Sequence, residues 1–327
     1  SGAGPCYGGV DGATDDDISA LTSSEHVARI VITGGSVANV DFGFSYNVVT
    51  NVQAVGNASL TASTYQGSLD QFVRNANAID GDNAMRFVPA VPTNAPSGGN
   101  WWRINYTGSI ASETLTYVHD AGTSINGTAY TLANGVSLRN TTTGNLGANA
   151  VGGLTVGVAL VPLPQVAKPE LELMRSDSGI GDGVHFESNL ATGQTPSQFA
   201  VRDMSIWGFG TGIAMTSVPA APVTAITLER NVIGSSPDAF ADPGVPSALR
   251  GVYVASATNT WVTNNLVGFL DNDGVTGSGM TTTVVTGNEI REAGQVNTAA
   301  DGINYGGGSA TGTLTGNLIV DSGGMGI

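Results

Sequence analysis

ITLERNVIG (226–234), WVTNNLVGF (261–269), VVTGNEIRE (284–292) and TLTGNLIVD (313–321) are four returns of one motif, and their reading decides the fold. Their aligned asparagines, Asn231, Asn265, Asn288 and Asn317, stand 34, 23 and 29 residues apart. Between them a second motif recurs, Gly followed by Val or Ile: GDGVHF (Gly183), GTGIAM (Gly212), LRGVYV (Gly251), NDGVTG (Gly274), ADGINY (Gly302) and GMGI (Gly326). Self-similarity at this period marks a solenoid, and apolar residues alternating within each return mark strands and not helices. A stack of short parallel strands with one continuous core follows: an all-β chain forming a right-handed parallel β-helix. At corners of such a stack, side-chain amides in register can hydrogen-bond from rung to rung, which assigns the four asparagines to a structural ladder.

Composition narrows the partners. The chain has 327 residues, 47 glycines and a net charge of -15, with Lys168 the single lysine among eleven basic residues. Abundant Gly and Asn suit a fold that turns every few residues. Phosphate backbones need clustered Lys and Arg, so nucleic acid is excluded as a partner. No stretch approaches the roughly 20 apolar residues of a membrane span.

Three regions follow from the pattern. Residues 1–49 read as an acidic loop and then a β-hairpin, in which Ile30 and Ile32 alternate with polar neighbours and Val40, Phe42 and Phe44 do so after a Gly-Gly turn. Residues 50–170 hold a helix over 66–79, with Leu69, Phe72, Val73, Ala76 and Ile79 on one face and Ser68 as N-cap, followed by irregular first rungs at 84–91, 101–108, 113–120 and 123–132. A short helix is suited to cap the open end of a solenoid. Regular rungs occupy 171–327.

VDFGFSYNVV, QGSLDQFVRNANAI, AMRFVPAVP and GNWWRI, within residues 26–135, resemble the junction in secreted bacterial surface proteins where a collagen-adhesin B-type or SdrD B-like module gives way to a β-helix. The resemblance implies an extracellular, multidomain, surface-associated protein; residues 1–49 then read as the remnant of a sandwich module or as a strand-exchange segment. The start SGAGPCYGG and the end DSGGMGI both read as cuts within a longer chain. An unpaired Cys6 is a candidate for a disulfide to a partner.

Candidate chemistry gathers in one place. Asp177, Asp182, His185 and Glu187 surround one rung with Arg175 and Arg202 nearby, and paired carboxylates on one face are what glycosidic acid-base work requires. Solvated ion pairs would use the same residues. Asp271 and Asp273 begin a calcium-loop spacing without the remaining ligands, and Asp15 and Asp17 form a second weak calcium candidate; no other cofactor is implied. Trp101, Trp102, Trp207 and Trp261 are candidates for a sugar platform or for core. The expectation is a non-enzymatic structural subunit of an extracellular filament or surface layer. Its partners would be other copies of itself, joined through Gly326 and Ile327 at the solenoid end or through the hairpin residues. The alternative is an adhesin for surface glycans, and a polysaccharide lyase or hydrolase stands behind it.

Overall fold

A computed structural model of the chain describes residues 47–54, 66–106, 115–176, 181–188, 197–216, 223–244, 249–306 and 311–327. It is a right-handed parallel β-helix in which the chain visits three sheets in turn. Sheet 1 stacks Ser124–Asn126, Ala200–Arg202, Val223–Glu229, Ala257–Thr263, Thr281–Thr286 and Gly312–Thr315. Sheet 2 stacks Trp102–Tyr106, Leu171–Arg175, Met204–Trp207, Val232–Ile233, Leu266–Leu270, Glu289–Ala293 and Leu318–Val320. Sheet 3 stacks Asp182–Glu187, Thr211–Thr216, Arg250–Ala255, Val275–Ser278 and Ile303–Gly306. All pairings within these sheets are parallel, and alternate side chains from all three fill one apolar core.

The turn from sheet 1 to sheet 2 explains the recurring asparagine. Asp203, Arg230, Asn264, Gly287 and Gly316 all hold positive φ, between 54° and 68°, so a left-handed residue sits at the same corner on each rung. The next residue is the ladder asparagine. The Asn265 Oδ1 accepts both the Asn231 N–H (2.9 Å) and its Nδ2–H (3.1 Å). Asn288 and Asn317 repeat the pattern one rung further on. Each Nδ2 also donates back to a sheet 1 carbonyl, as Asn265 does to Leu228 at 3.0 Å. Asn231, Asn265 and Asn288 are fully buried, where an unpaired amide would be costly, so the column satisfies backbone and side chain together.

The recurring glycine has a different cause. A Cβ on Gly212, Gly251 or Gly274 would lie 2.8, 2.7 and 2.4 Å from the carbonyl oxygen of the glycine one rung on. Strands enter sheet 3 here too close together for any side chain.

Helix α1 (Leu69–Ala78) has Ser68 as N-cap, accepting the Gln71 N–H, and buries Leu69, Phe72, Val73 and Ala76 in the solenoid core. Of the hairpin expected over 28–49, the described part, Val48–Val49, pairs in parallel with Arg86–Phe87 as a rung; Ile30, Ile32, Val40, Phe42 and Phe44 lie outside the described residues. The segment 123–132, expected as one strand, keeps strand only at Ser124–Asn126. There the Asn126 Oδ1 accepts the Thr128 N–H at 2.8 Å at a corner, and the rung goes on to the fully buried Ala129, which pairs in parallel with Phe87. The residues from there to Glu170 are an excursion and not rungs. They lie over the outer face of sheet 2, where Leu146 and Val166 pack on Val232 and Leu266.

The excursion is anchored by buried carboxylates. The Glu170 side chain accepts the Ala129 N–H (2.8 Å) and the Thr141 N–H (2.6 Å), and the Glu289 Oε2 accepts the Ala148 N–H at 2.6 Å. Lys168 donates to the Asp238 carbonyl at 2.6 Å. Beside it Glu172, fully buried, accepts the indole N–H of Trp101 (2.7 Å) and of Trp207 (2.6 Å) and pairs with Arg103. Sheet 2 is thus covered, and the candidate chemistry lies on sheet 3.

Candidate functional site on the outer face of sheet 3

On the strand Asp182–Glu187 the side chains of Val184 and Phe186 are fully buried in the core, which turns His185 outward. The register places Ala214, Tyr253, Thr276 and Asn304 on the same outward row, one per rung. The row is extended on the other side by the segment carrying Leu115 to His119. The Val118 N–H donates to the His185 carbonyl (2.8 Å) and the Val118 carbonyl accepts the Glu187 N–H (3.0 Å). Tyr117 consequently lies beside His185, ring on ring, with centroids 4.0 Å apart and planes 29° from parallel. The outward row therefore reads Tyr117, His185, Ala214, Tyr253, Thr276, Asn304.

Strands in a sheet are spaced about 4.8 Å apart, so the backbone positions of Tyr117 and Tyr253, three strands apart, are separated by about 14 Å, with His185 and the small Ala214 between them. Arg250 lies over the Tyr253 ring, its guanidinium carbon 4.7 Å from the centroid. A flanking row carries Asp182, Thr211 and Arg250, and on the other side Glu187 pairs with Thr216. Above Tyr253, the Asp273 carboxylate accepts from Thr276 Oγ1 (3.0 Å) and Asn304 Nδ2 (3.3 Å).

The centre of the cluster is polar and close-packed. His185 Nε2 is 2.7 Å from Thr216 Oγ1, and its Nδ1 is 2.7 Å from Asp182 Oδ2, with that oxygen off the N–H line, so that Nδ1 has a close carboxylate neighbour without an aligned hydrogen bond. His119 Nδ1 lies 2.9 Å from the Glu187 carbonyl oxygen. Tyr117 is 37 % exposed, and its phenol titrates above the ordinary value because burial, then the Asp182 and Glu187 charges, disfavour the phenolate. At neutral pH it is a hydroxyl donor beside two carboxylates.

Of the residues singled out in the sequence, Asp182, His185 and Glu187 share this face, while Asp177, Asp15, Asp17 and Cys6 lie outside the described residues. Asp273 is engaged by its own rung and the next: its Oδ1 accepts the Asp301 N–H at 2.8 Å. The Asp271 Oδ1 is buried without a hydrogen-bond partner, and its carboxyl titrates above the usual range because of burial. Among the described residues no group of three His, Cys, Asp or Glu side chains is placed to hold a metal. Trp101, Trp102 and Trp207 are buried, and Trp261 is exposed on sheet 1. Gly326 and Ile327 are exposed in the described end of the stack, where the Gly326 carbonyl accepts the Ile303 N–H at 2.9 Å.

Sequence reasoning did not find Tyr117, Thr216 or Tyr253. A signal for Tyr253 existed: the residue two places after each recurring glycine is the outward one, so Gly251-Val-Tyr253 is equivalent to Gly183-Val-His185.

No family model matches the sequence. Among solved structures, the enzymatically active domain of bacteriophage CBA120 tailspike protein 2 is similar at 11% identity, covering 83% of this chain and 43% of that one, with a TM-score of 0.29. Full-length tailspike protein 2 from Escherichia coli O157:H7 bacteriophage CAB120 is similar at 11% identity over 80% of this chain and 38% of that one, with a TM-score of 0.27. The chain spans less than half the length of either. The expectation of a non-enzymatic chain is at odds with the former structure, which is of an enzymatically active domain. The chemistry of the sheet 3 face is a matter of this chain's own geometry.

Proposed function

We propose that the outer face of sheet 3 receives a glycan, with the polymer lying along the solenoid axis. One observation carries this reading: a single row presents two tyrosines three strand spacings apart, with His185 and the small Ala214 between them, bordered by carboxylates, hydroxyls and amides. Aromatic rings give an apolar sugar face a surface to pack on, and the bordering groups match hydroxyls in both donor and acceptor sense. One side chain per rung suits a polymer of repeating units better than a compact ligand. A surface with net charge -15 favours neutral or weakly charged polysaccharides over strongly anionic ones. This reading is the adhesin alternative of the sequence, placed on a surface exposed to polysaccharide, and it takes the place of the filament subunit.

The test is retention of the full chain on a glycan array and, for hits, affinity electrophoresis. Tyr253→Ala and Tyr117→Ala should each weaken retention about tenfold, the order of one lost aromatic contact. An array on which nothing is retained, or hits that both variants bind as well as the parent, would sink the proposal.

A further inference from the structure

We propose that Thr216, His185 and Asp182 form a hydrolytic relay that removes acyl groups from esterified sugars, with the Thr216 hydroxyl as nucleophile. The inference rests on the reading that this face meets a glycan, and names a substrate class for it. Its basis is a chain of three groups brought together by two adjacent strands of sheet 3. Thr216 Oγ1 is 2.7 Å from His185 Nε2, and His185 Nδ1 is 2.7 Å from Asp182 Oδ2. Nucleophile, base and orienting carboxylate at such separations are the arrangement that activates a hydroxyl, and contacts off their ideal line are common in such groups before substrate is bound.

Three further observations fit. His185 is held on one side by the Tyr117 ring at 4.0 Å and is 7% exposed, which fixes its orientation. Thr216 ends its strand beside Glu187, in the row next to the one that carries His185 and Ala214, at the edge of the proposed glycan path. The imidazole is not tied to a backbone carbonyl through either nitrogen among the described residues, so Nε2 is free to exchange a proton with the hydroxyl.

In the Nδ1–H tautomer, the Thr216 oxygen attacks the ester carbonyl carbon while its proton passes to His185 Nε2. The tetrahedral intermediate expels the sugar oxygen, which takes that proton and leaves as the alcohol. Water then attacks the acyl-threonine, gives its proton to Nε2, and the acid departs as the Thr216 oxygen recovers the proton. The sum is ester plus water to alcohol plus carboxylic acid. Asp182 is a positioning residue that holds the tautomer and offsets the imidazolium charge.

The experiment uses the full chain with 4-nitrophenyl acetate and with acetylated xylan, beside glycan retention measured on the parent protein. Thr216→Val and His185→Gln should each lower hydrolysis about 100-fold or more, and Thr216→Ser should stay within about tenfold of the parent. Asp182→Asn should lower kcat with KM little changed. Acid quenching should trap an acetyl group on the peptide holding Thr216. Equal melting of the parent and Thr216→Val proteins guards against a folding effect. If the parent hydrolyses neither probe faster than Thr216→Val while still retaining glycan, this inference falls and the glycan reading stands; if it also retains no glycan, both fall.

Discussion

Asn265 has neighbours of its own kind on both sides. Its Oδ1 accepts two hydrogens from Asn231, and its Nδ2 donates to Leu228 O and to Asn288 Oδ1, all within 3.1 Å. Truncation strands several of these partners in a fully buried corner. Asn265→Ala should therefore cost about 3 kcal/mol, since each buried group left unpaired costs roughly 1–3 kcal/mol. Urea unfolding measures it, and a loss under about 1 kcal/mol would mean that water replaces the amide. Asp271 behaves in the opposite sense. Burial holds its carboxyl above the usual range, and the buried Oδ1 has no hydrogen-bond partner. A carboxyl raised in the folded state favours folding below its unfolded value, and that contribution is lost as pH rises through the folded value. Asp271→Asn should melt above the parent at pH 7, with the gap closing toward about pH 4, the ordinary aspartate range. A gap independent of pH would refute the assignment.

Excursion 130–170 is an element without regular structure of its own beyond two short antiparallel pairs, Asn145–Leu146 with Val166–Ala167 and Thr155–Val156 with Val161–Pro162, and a bridge of Tyr130 with Leu138. What holds it is the face beneath. Glu289 takes the Ala148 N–H and pairs with Arg291, and the Leu146 and Val166 side chains cover Val232 and Leu266. Glu289→Ala should leave the rungs intact while exposing the backbone around Ala148 to faster hydrogen exchange and proteolysis. Exchange that accelerates equally in sheets 1 and 3 would show that Glu289 supports the solenoid instead. The sequence concealed this element for a physical reason. Thr123 to Leu132 alternates as a strand does, and the rung it makes runs on to Ala129, but nothing in that alternation marks where the chain leaves it for the antiparallel bridge of Tyr130 with Leu138. Helix α1, in contrast, was legible because cap, apolar face and terminating Gly81 all lie within 14 residues.

At the scale of the whole molecule, the solenoid was readable because each rung repeats a local demand: a left-handed residue before the corner, an amide after it, and a glycine where strands converge. Local demands leave local marks. The candidate site was readable in part. Asp182, His185 and Glu187 fall within six residues of one strand, whereas Thr216 and Tyr117 reach them from one rung on and one rung before. Register alone joins those three rungs, and register is a property of the stack, not of any segment. The ladder also has a bearing on tolerance to insertion. Asn231 and Asn265 are 34 residues apart and Asn265 and Asn288 only 23, yet both pairs make the same contacts. The perimeter of a rung is thus constant, and surplus chain is carried outside it. Foreign sequence grafted beside the exposed Gly244 would lengthen a loop outside the rungs, which makes this chain a natural display scaffold with its cargo pinned at a known height.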